Sequence, residues 1–177
     1  MTMTQTVHST RLIDLVSGAL VLSLLFSGAI FGFFYAWVCS TMWGLDHADP
    51  RVAIIAMQEM NASVRNAVFA PAFFGTPLVL GAAAILALRS GARAAGLWVG
   101  AGALLYLFGG LFLTMLVNVP MNEALGALHI TLDTEVAEAS RIWTAYSDPW
   151  KVWNITRTVF SGLAMVCVGI AISQRNA

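Results

Sequence analysis

The sequence predicts an all-α fold: an integral membrane four-helix bundle with one or two short interfacial helices on its outer side. Three observations predict it. Hydrophobic residues make up 59% of the 177-residue chain and charged residues only 10%, against about 25% charged residues in a soluble domain. Mean hydropathy is +0.79. Four stretches reach the roughly 20 apolar residues that a helix needs to cross a bilayer. They run from about 15 to 43, 68 to 88, 96 to 117 and 153 to 172. The pieces between them are too short for a soluble domain, so residues 1–177 read as a single polytopic membrane domain.

The first apolar run is far longer than the roughly 7–15 residues of a signal-peptide core and is not closed by a small-residue cleavage site. It reads as a retained anchor. Ser23, Ser27, Gly28 and Gly32 give it a small-residue face, and Gly96 and Gly100 repeat the pattern in the third span. Such faces let helix backbones approach closely in lipid. Packing within the chain is the first use expected of them, and association of identical copies into a homo-oligomer the second.

Asp49 is a natural N-cap and Pro50 suits a first helical position. Ala53, Met57, Met60 and Val64 then recur at helical spacing, with Gln58, Asn61 and Arg65 on the opposite side. This pattern predicts an amphipathic helix lying at the interface. Pro71 and Pro77 are expected to bend the start of the second span. Arg89 to Ala95 is a tight turn. Pro120 should end or kink the third span near Asn118. Asp133 or Thr134 is placed to cap a short helix carrying Val136, Ala139, Trp143 and Tyr146 on one stripe. Asp148-Pro149 should stop that helix, and Trp150 then opens the fourth span.

Formal net charge is zero, so nothing suggests nucleic acid as a partner; the expected partners are the bilayer and a lipophilic small molecule. Arg11, Arg89, Arg93 and Arg175 fall on one side of the four crossings. Arg51, Arg65, Arg141, Lys151 and Arg157 fall on the other, with eight acids. The density of arginine in the short turn points to a plasma (inner) membrane protein with both termini in the cytoplasm. Cys39 and Cys167 lie within apolar runs and read as buried, unpaired thiols. His8, His47 and His129 lack the spacing of a metal site, so neither metal nor haem is expected.

Four crossings bring the start of the second span, the end of the third and the start of the fourth to one side. Asn61 and Arg65 come from the first of these, Asn118 and Asn122 from the second, and Trp150, Asn154 and Arg157 from the third. Trp150, Asn154, Arg157 and Ser161 step by helical intervals and share one face. A lone arginine near a helix end ordinarily snorkels to the headgroups. The same-face Asn154 and Ser161 turn Arg157 toward the interior instead. Glu123, next to Asn122, and His129, the one nearby side chain that titrates near neutrality, are the candidate bases. Trp143, Trp150 and Trp153 can wall an aromatic ligand.

Three blocks, "SGAIFGFFYAWV" (27–38), "VNVPMNEAL" (117–125) and "DPWKVWNITRTV" (148–159), resemble the signature blocks of the anthrone oxygenase-like family of small four-helix membrane proteins. The resemblance extends over most of the chain, from about 17 to 172. Its small-Phe-Gly element fits Ala29 to Phe33, its Pro-x-Asn element fits Pro120 and Asn122, and its Trp-then-Asn-and-Arg element fits Trp150 or Trp153, Asn154 and Arg157. Many family members form a domain of unknown function. Fungal members are associated with oxidation of anthrones to anthraquinones without metal or flavin. The resemblance therefore implies a cofactor-independent oxygenation of a lipophilic phenolic or anthrone-type substrate at a polar pocket near one interface. Binding of a lipid or hydrophobic metabolite without chemistry, or service as a small subunit of a membrane complex, is the alternative.

Overall fold

The computed structural model describes the backbone of residues 3–175 and the side chains of residues 14–175. The side chains of His8 and Arg11 lie outside the described residues. Every regular element among the described residues is helical. The order is α1 (Met3–Ala36), a π-helical turn (Trp37–Thr41), α2 (Met42–His47), α3 (Pro50–Ser63), α4 (Phe69–Arg89) and α5 (Arg93–Leu105). After α5 come a first π segment (Tyr106–Phe112) and a second π segment (Thr114–Asn118), which lead into α6 (Val119–Gly126), and α7 (Val136–Ser173) is the last helix. Four helical runs are long and apolar enough to cross a membrane: Asp14–His47, Phe69–Arg89, Arg93–Gly126 and Val136–Ser173. α1 packs against α4 and α7, and α5 packs against the same two from the other side. Leu25, Leu78, Leu104, Leu116 and Val166 are exposed, as suits helices that meet lipid on their outer faces.

Asp49 caps α3 as its residue type predicts: its side chain accepts a hydrogen bond from the Arg51 backbone N–H, and Pro50 occupies the first turn. The face assignment of α3 is revised. Gln58 is not turned to solvent; its Nε2 donates to the carbonyls of Leu125, at 2.8 Å, and Leu128, at 3.0 Å. Asn61 reaches Tyr146. α3 is thus held against α6 and α7, with Ala53, Ile54 and Met57 buried beneath it. Arg65 falls beyond its end.

Two proline expectations change. α7 runs unbroken for 38 residues through Pro149, so the short outer helix and the fourth span are one rod. Proline removes one helical hydrogen bond, and burial of Ala139, Trp143, Tyr146 and Trp150 on one stripe holds the helix across the gap. Asp133 and Thr134 form a turn with Thr131; the N-cap position is Glu135, with no side-chain bond. Pro120 does not end the third span either: the helical run continues through it from Arg93 to Gly126, with α-helix after it and a π segment before it. Pro77, inside α4, leaves the Phe73 carbonyl without its helical donor. The Tyr106 hydroxyl fills that vacancy at 2.9 Å.

Small residues set the closest approaches. A Cβ on Gly102 would lie 3.0 Å from the Ala164 carbonyl oxygen, and one on Gly109 would lie 2.1 Å from the Phe160 ring. Gly28 meets Met165 and Gly100 meets Ala84, whereas Gly32 has open space around it. Cys167 is buried but Cys39 is exposed, and both are free thiols.

Candidate functional site

α1, α4, the third span and α7 separate toward the end that α3 covers. They surround a cavity of about 560 Å³, within the roughly 300–1,000 Å³ of small-molecule sites. Its walls are largely aromatic: Phe33, Phe34 and Trp37 from α1 and the turn after it, Phe69 and Phe73 from α4, and Trp150 from α7. The polar groups on the lining are few: Asn61, Arg65, Asn66, Thr114, Asn122, Glu123 and Arg157.

Arg157 is 5% exposed. Its Nε donates to Asn154 Oδ1 at 2.9 Å and its Nη1 to Thr114 Oγ1 at 3.3 Å. The guanidinium carbon lies 4.3 Å from the Phe34 ring centroid and 5.2 Å from that of Trp150. No carboxylate among the described residues forms an ion pair with it. Burying such a cation costs several kcal/mol, and cation–π contact returns about 2 kcal/mol when desolvated. An anion in the cavity would supply the rest.

The supporting groups are fixed by their own bonds. A guanidinium only donates, so the Asn154 oxygen must face it; Asn154 Nδ2 then donates to the Phe34 carbonyl at 3.3 Å. The Thr114 hydroxyl donates to the Gly110 carbonyl at 2.6 Å, which leaves its lone pairs for Arg157. Ser161 is not a partner of the guanidinium, because its Oγ donates to the Arg157 backbone carbonyl. Thr114 lies in a π segment, and such segments are frequent at functional sites. There Val119 N–H bonds to the Thr114 carbonyl, five residues back.

A second cluster stands beside Arg157. Asn122 Oδ1 accepts from the Tyr146 hydroxyl at 2.8 Å and from Trp150 Nε1 at 2.9 Å. Indole Nε1 only donates, so the amide oxygen faces Trp150 and the Nδ2 donor is turned away from it. Asn61 Nδ2 reaches the Tyr146 oxygen at 3.4 Å.

The structure therefore brings Asn61, Arg65, Asn122, Glu123, Trp150 and Arg157 onto one cavity, with Asn154 directly behind Arg157. Glu123 pairs with Arg65 at 3.2 Å and both are well exposed at the rim. Asn118 is fully buried, makes no side-chain hydrogen bond and lies off the lining. Trp143 packs under α3 and donates to Asp46. Trp153 and His129 are exposed and away from the cavity. Thr114, Phe34 and Tyr146 were not legible as site residues. Thr114 and Phe34 sit in apolar runs, and Tyr146 matched a packing stripe.

The sequence model of the anthrone oxygenase family matches residues 65–167, more than half of the 177-residue chain. The match includes Arg65, Thr114, Asn122, Glu123, Trp150, Asn154 and Arg157, and it leaves out α1 with Phe33 and Phe34. No curated protein and no solved structure matches the chain.

Proposed function

The chain belongs to the anthrone oxygenase family, and from that premise we propose that its cavity binds a lipophilic phenolic or anthrone-type substrate and oxygenates it without a cofactor. The buried Arg157, held by neutral partners only, carries this reading. In an anthrone the CH₂ opposite the carbonyl is acidic, because the electron pair left behind delocalises onto oxygen. A base removes one proton, and the resulting enolate oxygen accepts hydrogen bonds from Arg157. Preorganised donors of this kind stabilise developing charge most strongly where water is excluded. The carbanion carbon transfers electrons to O₂ and bonds to it. The hydroperoxide, once protonated, loses water across its C–H and O–O bonds. One oxygen atom ends in the new carbonyl and the other in water, so CH₂ plus O₂ becomes C=O plus H₂O. The substrate supplies all the electrons.

Glu123 is the carboxylate on the cavity lining and is assigned the base role; it pairs with Arg65 at the rim. His129 stands too far from the lining to share it. Asn122 Nδ2 and the aromatic walls orient the ring system. The protein is assigned to the plasma membrane as a multi-pass protein with cytoplasmic termini; reporter fusions after Arg93 and after His129 should then report opposite compartments.

The direct test is oxygen uptake by the purified protein with a panel of anthrones and hydroquinones. Uptake of one O₂ per substrate with quinone formed, lost in Arg157→Gln, is the expected result. Tight binding of anionic amphiphiles with no uptake on any substrate would replace the oxygenase with a lipid or metabolite carrier.

A further inference from the structure

The cavity has two kinds of rim. Arg65, Asn66 and Glu123 form a polar edge, while Phe74 on α4 and Met115 on the second π segment form an apolar one. Phe74 is 48% and Met115 40% exposed. Both continue outer faces that are apolar throughout: Leu78 beyond Phe74 on α4, and Phe108, Phe112 and Leu116 around Met115 on the third span. α4 packs along α5 and reaches the first π segment, but it makes no substantial packing with the second π segment or with α6. The two spans are thus closed at the level of Gly100 and Ala84 and parted at the level of Phe74 and Met115. At the outer end the gap is bridged by the Arg65–Glu123 ion pair.

We propose that the cavity takes its ligand sideways from the hydrocarbon, through an opening between α4 and the second π segment framed by Phe74 and Met115. The proposal rests on the reading of the cavity as a substrate site and specifies the form in which substrate arrives: a neutral, lipid-dissolved aromatic. A charged species is expelled from hydrocarbon, so the oxyanion forms only after passage, beside Arg157. The exposed ion pair marks the polar, water-facing end, whereas Arg157 itself lies buried deeper in the cavity, where exclusion of water strengthens its electrostatic work. Uptake should follow the membrane partitioning of the neutral substrate, not its aqueous concentration.

The experiment uses the full chain in lipid nanodiscs, with Cys39 and Cys167 replaced by alanine, and either Met115→Cys or Phe74→Cys. A benzyl methanethiosulfonate adds a removable aromatic plug at the single thiol. Binding of 1,8-dihydroxyanthrone is followed without oxygen by quenching of tryptophan fluorescence, since Trp37 and Trp150 line the cavity. With the plug, association and dissociation should both slow by about tenfold or more, as for a blocked passage, and reductant should restore both. The same plug at Leu116→Cys, on the outer face, should change neither. In parallel, Met115→Cys and Phe74→Cys should react with a lipid-soluble maleimide and resist a sulfonated one. Unchanged rates with plugs at both positions, or reaction of both thiols with the sulfonated reagent, overturns the lateral route. Failure of the unplugged protein to bind the anthrone instead sinks the substrate reading, and the two maleimides still decide the route.

Discussion

Near the α4–α5 turn, Val16, Leu20, Leu80, Ala83, Ala84, Ala87, Ala95, Val99, Val168 and Ala171 close into a core with alanine at half its positions. At the opposite end Phe33, Phe34, Phe69, Phe73 and Trp150 stand around a space of about 560 Å³. The same four helical runs build both ends. Small side chains bring backbones together at one end. At the other, large rings, three π segments and the cap of α2 and α3 hold them apart. In lipid no hydrophobic force draws helices together, so close packing itself must hold the closed end. With that end closely packed, the other keeps a cavity and an arginine that forms no ion pair among the described residues.

The widest separation between the two ends concerns chemistry. Arg157→Lys keeps the charge but loses the planar fork that Asn154 and Thr114 hold. Turnover should fall by about 10²–10³-fold, the cost of one lost oxyanion donor, with the thermal midpoint retained. Activity equal to the parent protein would reduce Arg157 to a membrane anchor.

Sterics test the close glycine approaches next. Gly109→Ala and Gly102→Ala place a methyl against Phe160 and against the Ala164 carbonyl, and each should destabilise by about 1–3 kcal/mol. Gly32→Ala, with nothing nearby, should stay within about 0.5 kcal/mol. Equal costs at all three in a denaturant titration would erase the contrast.

A smaller effect sits where the ends join. Tyr106→Phe leaves the Phe73 carbonyl unpaired, at a cost of about 1 kcal/mol. Pro77→Ala restores the helical donor, so Tyr106→Phe made in that background should cost less. Additive losses in the double-mutant cycle would show that the proline and tyrosine do not compensate one another.

The smallest effect belongs to the cap. Hydrogen bonds from the Arg51 side chain and backbone hold the Asp49 carboxyl at about 2, below its ordinary 3.8. A depressed carboxylate stabilises the fold above its unfolded value and loses that contribution as pH falls through the folded one. A slight loss of α3 order between pH 4 and 2, absent in Asp49→Asn, is the expected signature by hydrogen exchange.

Much of this was legible in residue order. Four apolar runs gave four long helices because length and hydropathy suffice. Asp49-Pro50 gave a cap because local chemistry decides caps. The Trp150–Asn154–Arg157 face survived because α7 is regular there. What failed has one physical origin: contacts between elements outvoted local signals. Pro149 reads as a stop, yet Trp143, Tyr146 and Trp150 pack on both sides of it. Thr114 and Asn118 lie in π turns, where a fixed helical period no longer says which residues share a face. Tyr146 matched a packing stripe, and nothing local to it marks Asn122, 24 residues upstream, as its partner.

The unbroken α7 has a mechanical consequence. At 1.5 Å per residue its 38 residues measure about 57 Å, nearly twice the roughly 30 Å of hydrocarbon it has to cross. The excess stands clear of the bilayer as a mast. Asp46 is moored to it through Trp143 and Lys151, and Asn61 through Tyr146. Because Arg157 rides on the same rod, a tug on the cap travels toward the guanidinium, and Pro149, where the helix lacks one hydrogen bond, is the one softer point on the way.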